Sequence, residues 1–570
     1  MDGDGGFPCL RPLVFGPNFP NPAAGPTTKW LYWGAVLALA CVPACVDTSN
    51  GLAGARDAAG REIGGPGDPL PRADAPPFAD SAAGTDPPEP SCADGTCAPE
   101  ESCSSCTNDC GACSPSCGDG FCGVAEDCSS CADDCGSCME TSCGDNLCDS
   151  SEHCSTCEAD CGGCADAAAS MVRGPYLQMG TQTGITIRWR SSASTDSVVA
   201  FGTSPERLPG LVHLTESTTD HVVPITGLAP ETKYYYAIGQ SDAPLVGGDN
   251  SHSFTTSPAT DRPTRIWVLG DSGTANNDAR NVRDAFYTFT GDRGADLWLM
   301  LGDNAYSDGT DDEFQEAVFD MYPASLASAV LWPTLGNHDG HTADSASQDG
   351  PYYEIFSMPA NGEGGGASSG TEAYYGFNYG NIHFVCLDSY DTDRSESGAM
   401  MTWLENDLAA NTQEWLIAFW HHPPYSHGSH NSDSDSRMSE MREIALPILE
   451  SYGVDLVLSG HSHSYERSVY LHGHYGESDT LNDSMIMDSG DGRPSSDGAY
   501  QRAGSSSDGA VYIVAGSSGK TSSADLDHPA MLVSLLRLGS LVIDVNGNQL
   551  DVHFLDDSGE TADSFTIGHE

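Results

Sequence analysis

Five short motifs rich in metal-binding side chains follow one another through the second half of the chain. They read Gly270-Asp271-Ser272-Gly273, Gly302-Asp303-Asn304-Ala305-Tyr306, Gly336-Asn337-His338-Asp339, His421-His422-Pro423 and Gly460-His461-Ser462-His463. Because the ligands of an open α/β sheet bind beyond the carboxyl ends of its strands, we expect these side chains to converge on one site. One such motif arises easily by chance, whereas five in this order indicate an α/β domain built around a shared polar cleft.

Short apolar stretches alternate with helical stretches between residues 263 and 570, which is typical of an α/β domain. The predicted strands are Arg265–Leu269, Asp296–Leu301, Ile382–Leu387, Trp415–Trp420, Val454–Leu458 and Val511–Ala515. A hairpin is predicted over Leu541–Phe554, around the turn dipeptide Asn546-Gly547. Several of these strands end just before one of the motifs.

Residues 171–258 alternate apolar and polar side chains, which predicts β-strands. Ile185, Ile187 and Trp189 are expected to face inward, and the intervening Thr186 and Arg188 outward.

Tyr234 lies in a stretch with the spacing of a tyrosine corner, in which a phenol hydrogen-bonds to the upstream backbone and pins one end of a β-sandwich. The segment 171–258 therefore resembles a fibronectin type III-like all-β domain.

Eighteen of the 22 cysteines lie between Cys92 and Cys164, in three copies of the spacing C-x4-C-x5-C-x2-C-x3-C-x2-C. Six cysteines in about 25 residues leave little room for a hydrophobic core, so cross-links must hold each copy together. We interpret residues 92–164 as three small disulfide-rich repeats, with zinc bound by the C-x2-C pairs as the alternative. The spacing leaves the disulfide pairing open.

Acidic side chains recur in register within the repeats. They are Asp94, Asp119 and Asp145, Glu101, Glu126 and Glu152, and Asp109, Asp134 and Asp160. Carboxylates held close together suit calcium, which takes six to eight oxygen ligands. A solvated acidic surface is the alternative, so calcium in the repeats is a hypothesis.

The N-terminal segment has two parts of different composition. Residues 1–45 hold most of the apolar run Leu31–Val46, which is too short for a membrane-spanning helix and is typical of a signal peptide. A lipoprotein signal that acylates a cysteine is the alternative. Residues 46–91, dense in Gly, Pro, Ala and Asp, predict a disordered linker. We therefore expect a secreted or cell-surface protein, for which a lipidated cysteine is the one route of membrane attachment that the sequence suggests.

The chain carries 23 Lys and Arg against 82 Asp and Glu, a formal net charge of −59 at pH 7. Such a field repels polyanions, so the composition excludes nucleic acid as a partner. Hydrophobic residues make up 39% of the chain, which supplies at least one large core and excludes disorder throughout.

The donor types in the motifs favour hard or borderline metal ions. Carboxylate, amide, imidazole and phenol donors suit iron, manganese and zinc. One carboxylate can bridge two such ions, and a pair of ions can clamp both oxygens of a displacement at phosphorus. The motifs are therefore consistent with two metal ions and phosphoryl chemistry.

The order of the motifs resembles that of the calcineurin-like metallophosphoesterases, and Tyr306 in the second motif makes the chain similar to a purple acid phosphatase. The stretch Arg173-Gly174-Pro175-Tyr176-Leu177-Gln178 resembles the start of the family's N-terminal domain. The resemblance covers residues 171–570, with a catalytic domain over 263–570. The linker and the cysteine-rich repeats lie outside it.

The resemblance implies two metal sites that share Asp303. An iron(III) ion would be held by Asp271, Tyr306, His463 and Asp303, and a second divalent ion, zinc, manganese or iron, by Asp303, Asn337, His421 and His461. Gly273 stands where other metallophosphoesterases have a histidine ligand, so Tyr306 supplies the donor instead.

The reaction expected of such a centre is attack of a metal-bound hydroxide on phosphorus. His338 is the predicted proton donor to the leaving group, with Asp339 fixing its tautomer. A plain turn residue is the alternative for His338.

Further donors to the substrate are predicted from the stretch after His421-His422-Pro423. His422, His427 and His430 are the candidates, and plain loop residues are the alternative for His427 and His430. Arg467 could bind phosphate, although pairing with Glu466 is the favoured prediction.

The sequence therefore predicts an exported binuclear-metal phosphatase that hydrolyses small phosphate monoesters. A phosphodiesterase or nucleotidase with the same site is one alternative. A calcium-dependent surface-binding protein with a vestigial phosphoesterase domain is the other, and the presence of every predicted ligand argues against it. The cell-surface partner of the repeats is unknown from sequence.

Overall fold

The computed structural model of the protein describes residues 169–241, 243–504 and 508–570. The predicted signal segment, the linker and the three cysteine-rich repeats lie outside the described residues, and so does any calcium site in the repeats. The described residues all belong to one compact unit of the chain. Within this part, no helix has the length and hydropathy needed to span a membrane.

Six strands form the N-terminal part of the described chain. They are β1 Met171–Gln178, β2 Gly184–Gly202, β3 Gly210–Thr226, β4 Lys233–Gln240, β5 Ala243–Gly247 and β6 Ser253–Thr255. The backbone N–H of Ala229 donates to the hydroxyl of Tyr234 at 3.0 Å, which confirms the predicted contact of a tyrosine corner. The fibronectin type III-like character of the domain stays a prediction.

The alternating pattern of β2 is confirmed on one face only. Ile185, Ile187 and Trp189 are buried as expected, but Thr186 and Arg188, predicted to face outward, are buried as well. The Arg188 guanidinium donates to Ser357 Oγ at 2.9 Å, because the outer face of the strand packs against the following domain. The prediction for Thr186 and Arg188 was wrong because the alternation assumed a solvent-exposed sheet face.

The catalytic-domain segment adds sixteen strands in chain order. They are β7 Thr264–Leu269, β8 Leu297–Met300, β9 Val330–Pro333, β10 Tyr375–Tyr379, β11 Ile382–Cys386, β12 Trp415–Trp420, β13 Leu456–Ser459, β14 Tyr465–Ser468, β15 Tyr470–Leu471, β16 Ile486–Asp488, β17 Tyr500–Arg502, β18 Val511–Ala515, β19 Met531–Leu535, β20 Gly539–Asn546, β21 Gln549–Asp556 and β22 Thr561–His569. The predicted strands and the hairpin are confirmed, with small shifts of their ends.

The helices are mostly short. They are α1 Asn277–Thr290, α2 Asp311–Phe314, α3 Pro323–Leu326, α4 Pro351–Ile355, α5 Ala399–Ala410, α6 Ser436–Glu440 and α7 Leu446–Ser451, with π-helical turns at Gln315–Phe319 and Met441–Ala445 and 3₁₀ turns at Gly291–Arg293, Asp339–His341, Ser478–Thr480 and Asp483–Met485. The longest of these helices, α1, is capped at its N-terminus by Asn276, whose side chain accepts a hydrogen bond from Ala279 N–H. Phe286 of this helix stacks on Trp267 of β7, with ring centroids 4.1 Å apart, so α1 covers one face of its sheet.

Most strands of the described residues belong to two large sheets. The first runs β17-β22-β21-β20-β7-β8-β9-β1-β2-β4-β5, with β3 paired to β2 and β6 to β4. The second runs β10-β11-β12-β13-β18-β14-β19, and a small pair joins β15 to β16. Within them, β7, β8 and β9 are parallel neighbours, and so are β11, β12, β13 and β18. The N-terminal strands continue the first sheet because Leu177 of β1 pairs with Val330 of β9.

Candidate metal centre

The motifs follow the carboxyl ends of parallel strands from both sheets. Asp271 follows β7, Asp303 follows β8 and Asn337 follows β9, while His421 and His461 follow β12 and β13. The structure brings the side chains of these motifs together, as their placement predicts for strand ends that share one edge.

Tyr306 connects the two aspartates of the cluster. Its hydroxyl oxygen lies 2.9 Å from Asp303 Oδ2 and 3.0 Å from Asp271 Oδ1. The Nε2 atom of His463 is 3.5 Å from both the Tyr306 hydroxyl and Asp271 Oδ1. The other ring nitrogen of His463 contacts Ser522 Oγ at 2.8 Å, which fixes the ring with Nε2 toward the aspartates. These four side chains form the set that the resemblance assigns to iron(III).

His421 is oriented by a backbone carbonyl. Its Nδ1 donates to the Leu301 carbonyl at 2.9 Å, so the neutral ring carries its lone pair on Nε2. That Nε2 lies 3.1 Å from Asn337 Oδ1 and 3.3 Å from Asp303 Oδ1. The ring is therefore held in the tautomer that a metal ligand requires.

His461 completes the second set of donors. Its Nε2 is buried and has no hydrogen-bond partner among the described residues. Ligand atoms of His421, His422 and His461 lie within 4.8 Å of one another, as do those of Asp271, Asp303 and His421. A buried imidazole nitrogen without a partner beside a carboxylate cluster is the arrangement that a cation satisfies, so these donors fit a metal centre.

Three of the predicted ligands lie in the left-handed backbone region. The φ angles are 54° at Asp271, 51° at Asp303 and 65° at His461. Non-glycine residues rarely adopt this conformation, and it concentrates at functional sites. The neighbouring Gly336 has no room for a side chain, because a Cβ atom there would lie 2.0 Å from the Asp303 amide nitrogen. The tight turns thus aim the ligands at one point.

Burial opposes ionisation in the cluster. Burial raises the pKa of Tyr306 well above its usual value, and the carboxylates of Asp271 and Asp303 raise it further. Burial and the nearby His422 hold the pKa of His461 well below its usual value. The imidazole of His461 is therefore neutral and able to donate a lone pair, whereas Tyr306 requires nearby cations in order to become a phenolate.

His338 lies over the cluster. Its ring meets the Tyr306 ring edge-on, with centroids 4.5 Å apart, and its Nε2 is 3.9 Å from Asp303 Oδ2. Its Nδ1 lies 2.5 Å from the Ser307 carbonyl, so Ser307 and not Asp339 fixes the tautomer.

Asp339 has a different role from the predicted one. It is fully buried and accepts hydrogen bonds from the amides of Asn304, Ala305 and Gly336. Burial, together with the charge of Asp303, raises its pKa to about 7. The prediction that Asp339 orients His338 was wrong, because its carboxylate instead ties the second motif to the third.

The three candidate histidines after His421 have different surroundings in the structure. His430 stacks on His461 at a centroid distance of 3.8 Å, beside the predicted metal ligands. His422 is buried, with Nδ1 against Ser389 Oγ at 2.9 Å. His427 Nδ1 instead lies 2.8 Å from Asp527 Oδ1, and substrate binding by His427 stays a prediction without a supporting contact.

Arg467 neither faces the cluster nor pairs with Glu466. Its buried guanidinium lies 2.6 Å from Asp563 Oδ2 and 3.1 Å from Asp563 Oδ1, a contact across 96 residues of sequence. The prediction of a neighbouring partner was wrong because the strand that carries Asp563 packs on Arg467.

The motifs give no indication of Lys520, which lies at the cluster. Its Nζ is 3.6 Å from the centroid of the Tyr306 ring. Burial lowers the pKa of Lys520, while Asp271 and Asp303 act to raise it. The only available signal is scarcity, since the chain has three lysines.

The fold and the cluster define a metallophosphoesterase-type domain, and comparison with known proteins agrees. Residues 264–465 match the calcineurin-like phosphoesterase family. Residues 172–256 match the N-terminal domain of purple acid phosphatases. Two successive stretches of the chain are thus similar to the N-terminal domain of purple acid phosphatases and to calcineurin-like phosphoesterases.

Several relatives of the chain are named as purple acid phosphatases. Purple acid phosphatase 15 of Arabidopsis thaliana is 30% identical over 333 residues, which covers 50% of this chain and 59% of the relative. Purple acid phosphatase 23 of the same plant is 31% identical over 288 residues, which covers 45% of this chain and 59% of the relative. The matches thus span about three fifths of these relatives' length.

A solved structure shares the fold. The purple acid phosphatase PPD1 from yellow lupin (Lupinus luteus) superposes with a TM-score of 0.55 at 17% identity, covering 70% of this chain and 75% of that one. At this identity the likeness concerns the fold alone.

Proposed function

We propose that the protein is an exported binuclear-metal phosphatase that hydrolyses phosphate monoesters. The observation that carries the proposal is the position of the Tyr306 hydroxyl, 3.0 Å or less from a carboxylate oxygen of both Asp271 and Asp303. The family matches over residues 264–465 and 172–256 support the same reading.

The donors divide into two sets around Asp303. Iron(III) suits Asp271, Tyr306, His463 and Asp303, because a phenolate is an anionic donor that favours the higher charge. A divalent ion, zinc, manganese or iron, suits the Asp303, Asn337, His421 and His461 set. When bound, such a pair supplies a strong nucleophile at neutral pH and neutralises charge on the phosphoryl oxygens.

The chain's own residues then orient the substrate and move the proton. His338 Nδ1 donates to the Ser307 carbonyl, so its Nε2 faces the cluster; in the imidazolium form Nε2 carries the proton that passes to the leaving-group oxygen. His430, stacked on His461, presents its ring at the edge of the same cluster and is placed to contact a phosphate oxygen.

Export is the second part of the proposal. It is supported by the apolar run Leu31–Val46 and by the density of cysteines between Cys92 and Cys164, which suits an oxidising compartment. Fractionation of cells that produce the full chain tests it: protein outside the cytoplasm with the N-terminal segment removed supports export, and full-length cytoplasmic protein contradicts it.

The activity is tested with a matched pair of aryl phosphates, p-nitrophenyl phosphate and bis(p-nitrophenyl) phosphate. The purified chain is expected to cleave the monoester faster. Asp303→Asn, which removes the shared carboxylate, is expected to abolish turnover, whereas Asp308→Asn, an exposed aspartate five residues on, keeps it. Faster cleavage of the diester favours a phosphodiesterase, and cleavage of neither contradicts both.

A further inference from the structure

A second cluster of histidines lies outside the candidate metal centre. One ligand atom from each of His427, Asp433 and His528 falls within 4.8 Å of the other two. His474 packs next to them, its ring centroid 6.5 Å from that of His528. None of these residues belongs to the donor sets around Asp303.

Several ring nitrogens in this cluster are buried without hydrogen-bond partners in the part of the chain that the structure describes. They are His427 Nε2, His528 Nε2 and both ring nitrogens of His474. His474 and His528 are 0% and 2% exposed. Buried polar atoms are nearly always satisfied, so this concentration of unpaired nitrogens points to a missing binding partner.

The orientation of His427 suits a metal ligand. Its Nδ1 donates to Asp527 Oδ1 at 2.8 Å, which leaves the lone pair on Nε2, and Nε2 faces Asp433 Oδ2 at 3.7 Å. A carboxylate behind a histidine is the usual support for a metal-binding imidazole, because it fixes the tautomer and increases the basicity of the ring.

His528 and His474 are held neutral. Burial and the nearby His427 lower the pKa of His528 to about 3. Burial and Arg442 lower the pKa of His474 to about 4. His528 Nδ1 accepts a hydrogen bond from Ala530 N–H at 3.2 Å, so in this tautomer the ring proton is on Nε2. Metal binding through Nε2 requires the ring proton to move to Nδ1, and the hydrogen bond from Ala530 is then lost.

We propose that His427, Asp433 and His528 bind a further divalent metal ion, outside the predicted two-metal centre. Two imidazoles and one carboxylate suit zinc, with a fourth position open to water or to a rotated His474. The proposal is independent of the proposed phosphatase activity, because it rests on none of that centre's ligands.

The ion would hold in place the loop that carries His430. His427 and Asp433 lie on either side of His430, whose ring stacks on His461. The same loop is joined to the segment before His528, since Leu526 N–H donates to the His427 carbonyl at 2.8 Å. A metal ion there adds a further link between these segments, beside the contacts of His427 with Leu526 and Asp527, and so fixes the position of His430.

Metal content of the purified full chain, measured by mass spectrometry after equilibration with zinc, tests the proposal. His528→Gln is expected to hold one metal ion per chain fewer than wild type, while the matched control His213→Gln, a half-exposed histidine of the N-terminal strands, holds the same number as wild type. Comparing variants cancels any metal bound by the cysteine-rich repeats. Equal metal content in wild type and His528→Gln overturns the proposal.

A direct measurement covers the case in which His528→Gln does not fold. Crystals of the wild-type chain grown with zinc in excess of three ions per chain are expected to show an anomalous peak at the zinc edge between His427, Asp433 and His528. Density for water, without an anomalous peak, overturns the proposal whether or not the protein hydrolyses phosphate esters.

Discussion

The ammonium of Lys520 lies 3.6 Å from the centre of the Tyr306 ring. A cation over the face of an aromatic ring is attracted by its electron density, and the attraction grows when the ring becomes a phenolate. Lys520 therefore offsets part of the cost of ionising Tyr306 between the carboxylates of Asp271 and Asp303.

Lys520→Met is expected to shift the visible tyrosinate-to-iron band to longer wavelength. The ammonium lies over the ring, so it stabilises the electrons of the phenolate and widens the energy gap of the transition. Absorption spectra of the iron-loaded proteins measure the shift. Lys233→Met, which removes a lysine 5.3 Å from the Tyr235 ring in the N-terminal domain, serves as the control. An unchanged band in Lys520→Met contradicts this role.

His338→Gln is expected to lower kcat by about 10²–10⁴ for alkyl phosphates, because their leaving groups need a proton. The loss should be much smaller for p-nitrophenyl phosphate, whose leaving group departs as an anion. Steady-state kinetics on both substrates measure the difference. His341→Gln, the next histidine at a centroid distance of 5.3 Å, is the control. Equal losses on both substrates show that His338 acts in some way other than as a proton donor.

Asp563→Ala is expected to destabilise the domain by about 3–5 kcal/mol, because it leaves the buried Arg467 guanidinium without its partner. Denaturant unfolding at pH 7 measures the change in free energy. The control is Asp544→Ala, which breaks the partly exposed pair with Arg265 and should cost about 1 kcal/mol or less. A similar small cost for both variants means that the buried pair contributes little.

The pair of Arg467 and Asp563 makes the free energy of unfolding depend on pH. Burial acts to raise the pKa of Asp563, but Arg467, together with Tyr465 and Arg493, outweighs it and leaves the pKa below its usual value of 3.8. A lowered pKa in the folded state means that the stabilisation is complete above about pH 4 and disappears as the pH falls further. We expect the gap in unfolding free energy between wild type and Asp563→Ala to narrow below pH 4. A constant gap down to pH 2 contradicts the assignment.

The ends of four motif-bearing strands were predictable because each of these four motifs follows a run of apolar residues. The strand Val330–Pro333, which positions Asn337, was absent from the predicted set, since four residues ending in proline give a weak strand signal. The left-handed conformation of Asp303 was likewise invisible, because it depends on how close Gly336 comes to it.

The partners of charged residues were the least predictable feature. Arg467 pairs with Asp563 across 96 residues, and His427 pairs with Asp527 across 100. Sequence reasoning favours neighbours such as Glu466, whereas the packing of distant strands and loops decides the contact. Asp339 was misassigned for a related reason, since its partners are backbone amides that leave no trace in the sequence.

Ligation of iron by the Tyr306 phenolate is measured by the visible absorption spectrum of the purified protein, recorded together with its metal content. We expect a coloured protein with iron and a tyrosinate-to-iron band that is lost in Tyr306→Phe. The band is retained in the control Tyr390→Phe, which changes a tyrosine that stacks on His422 at a centroid distance of 6.2 Å and belongs to neither donor set. A protein that stays colourless after loading with iron, or a Tyr306→Phe variant that keeps the band, contradicts the account.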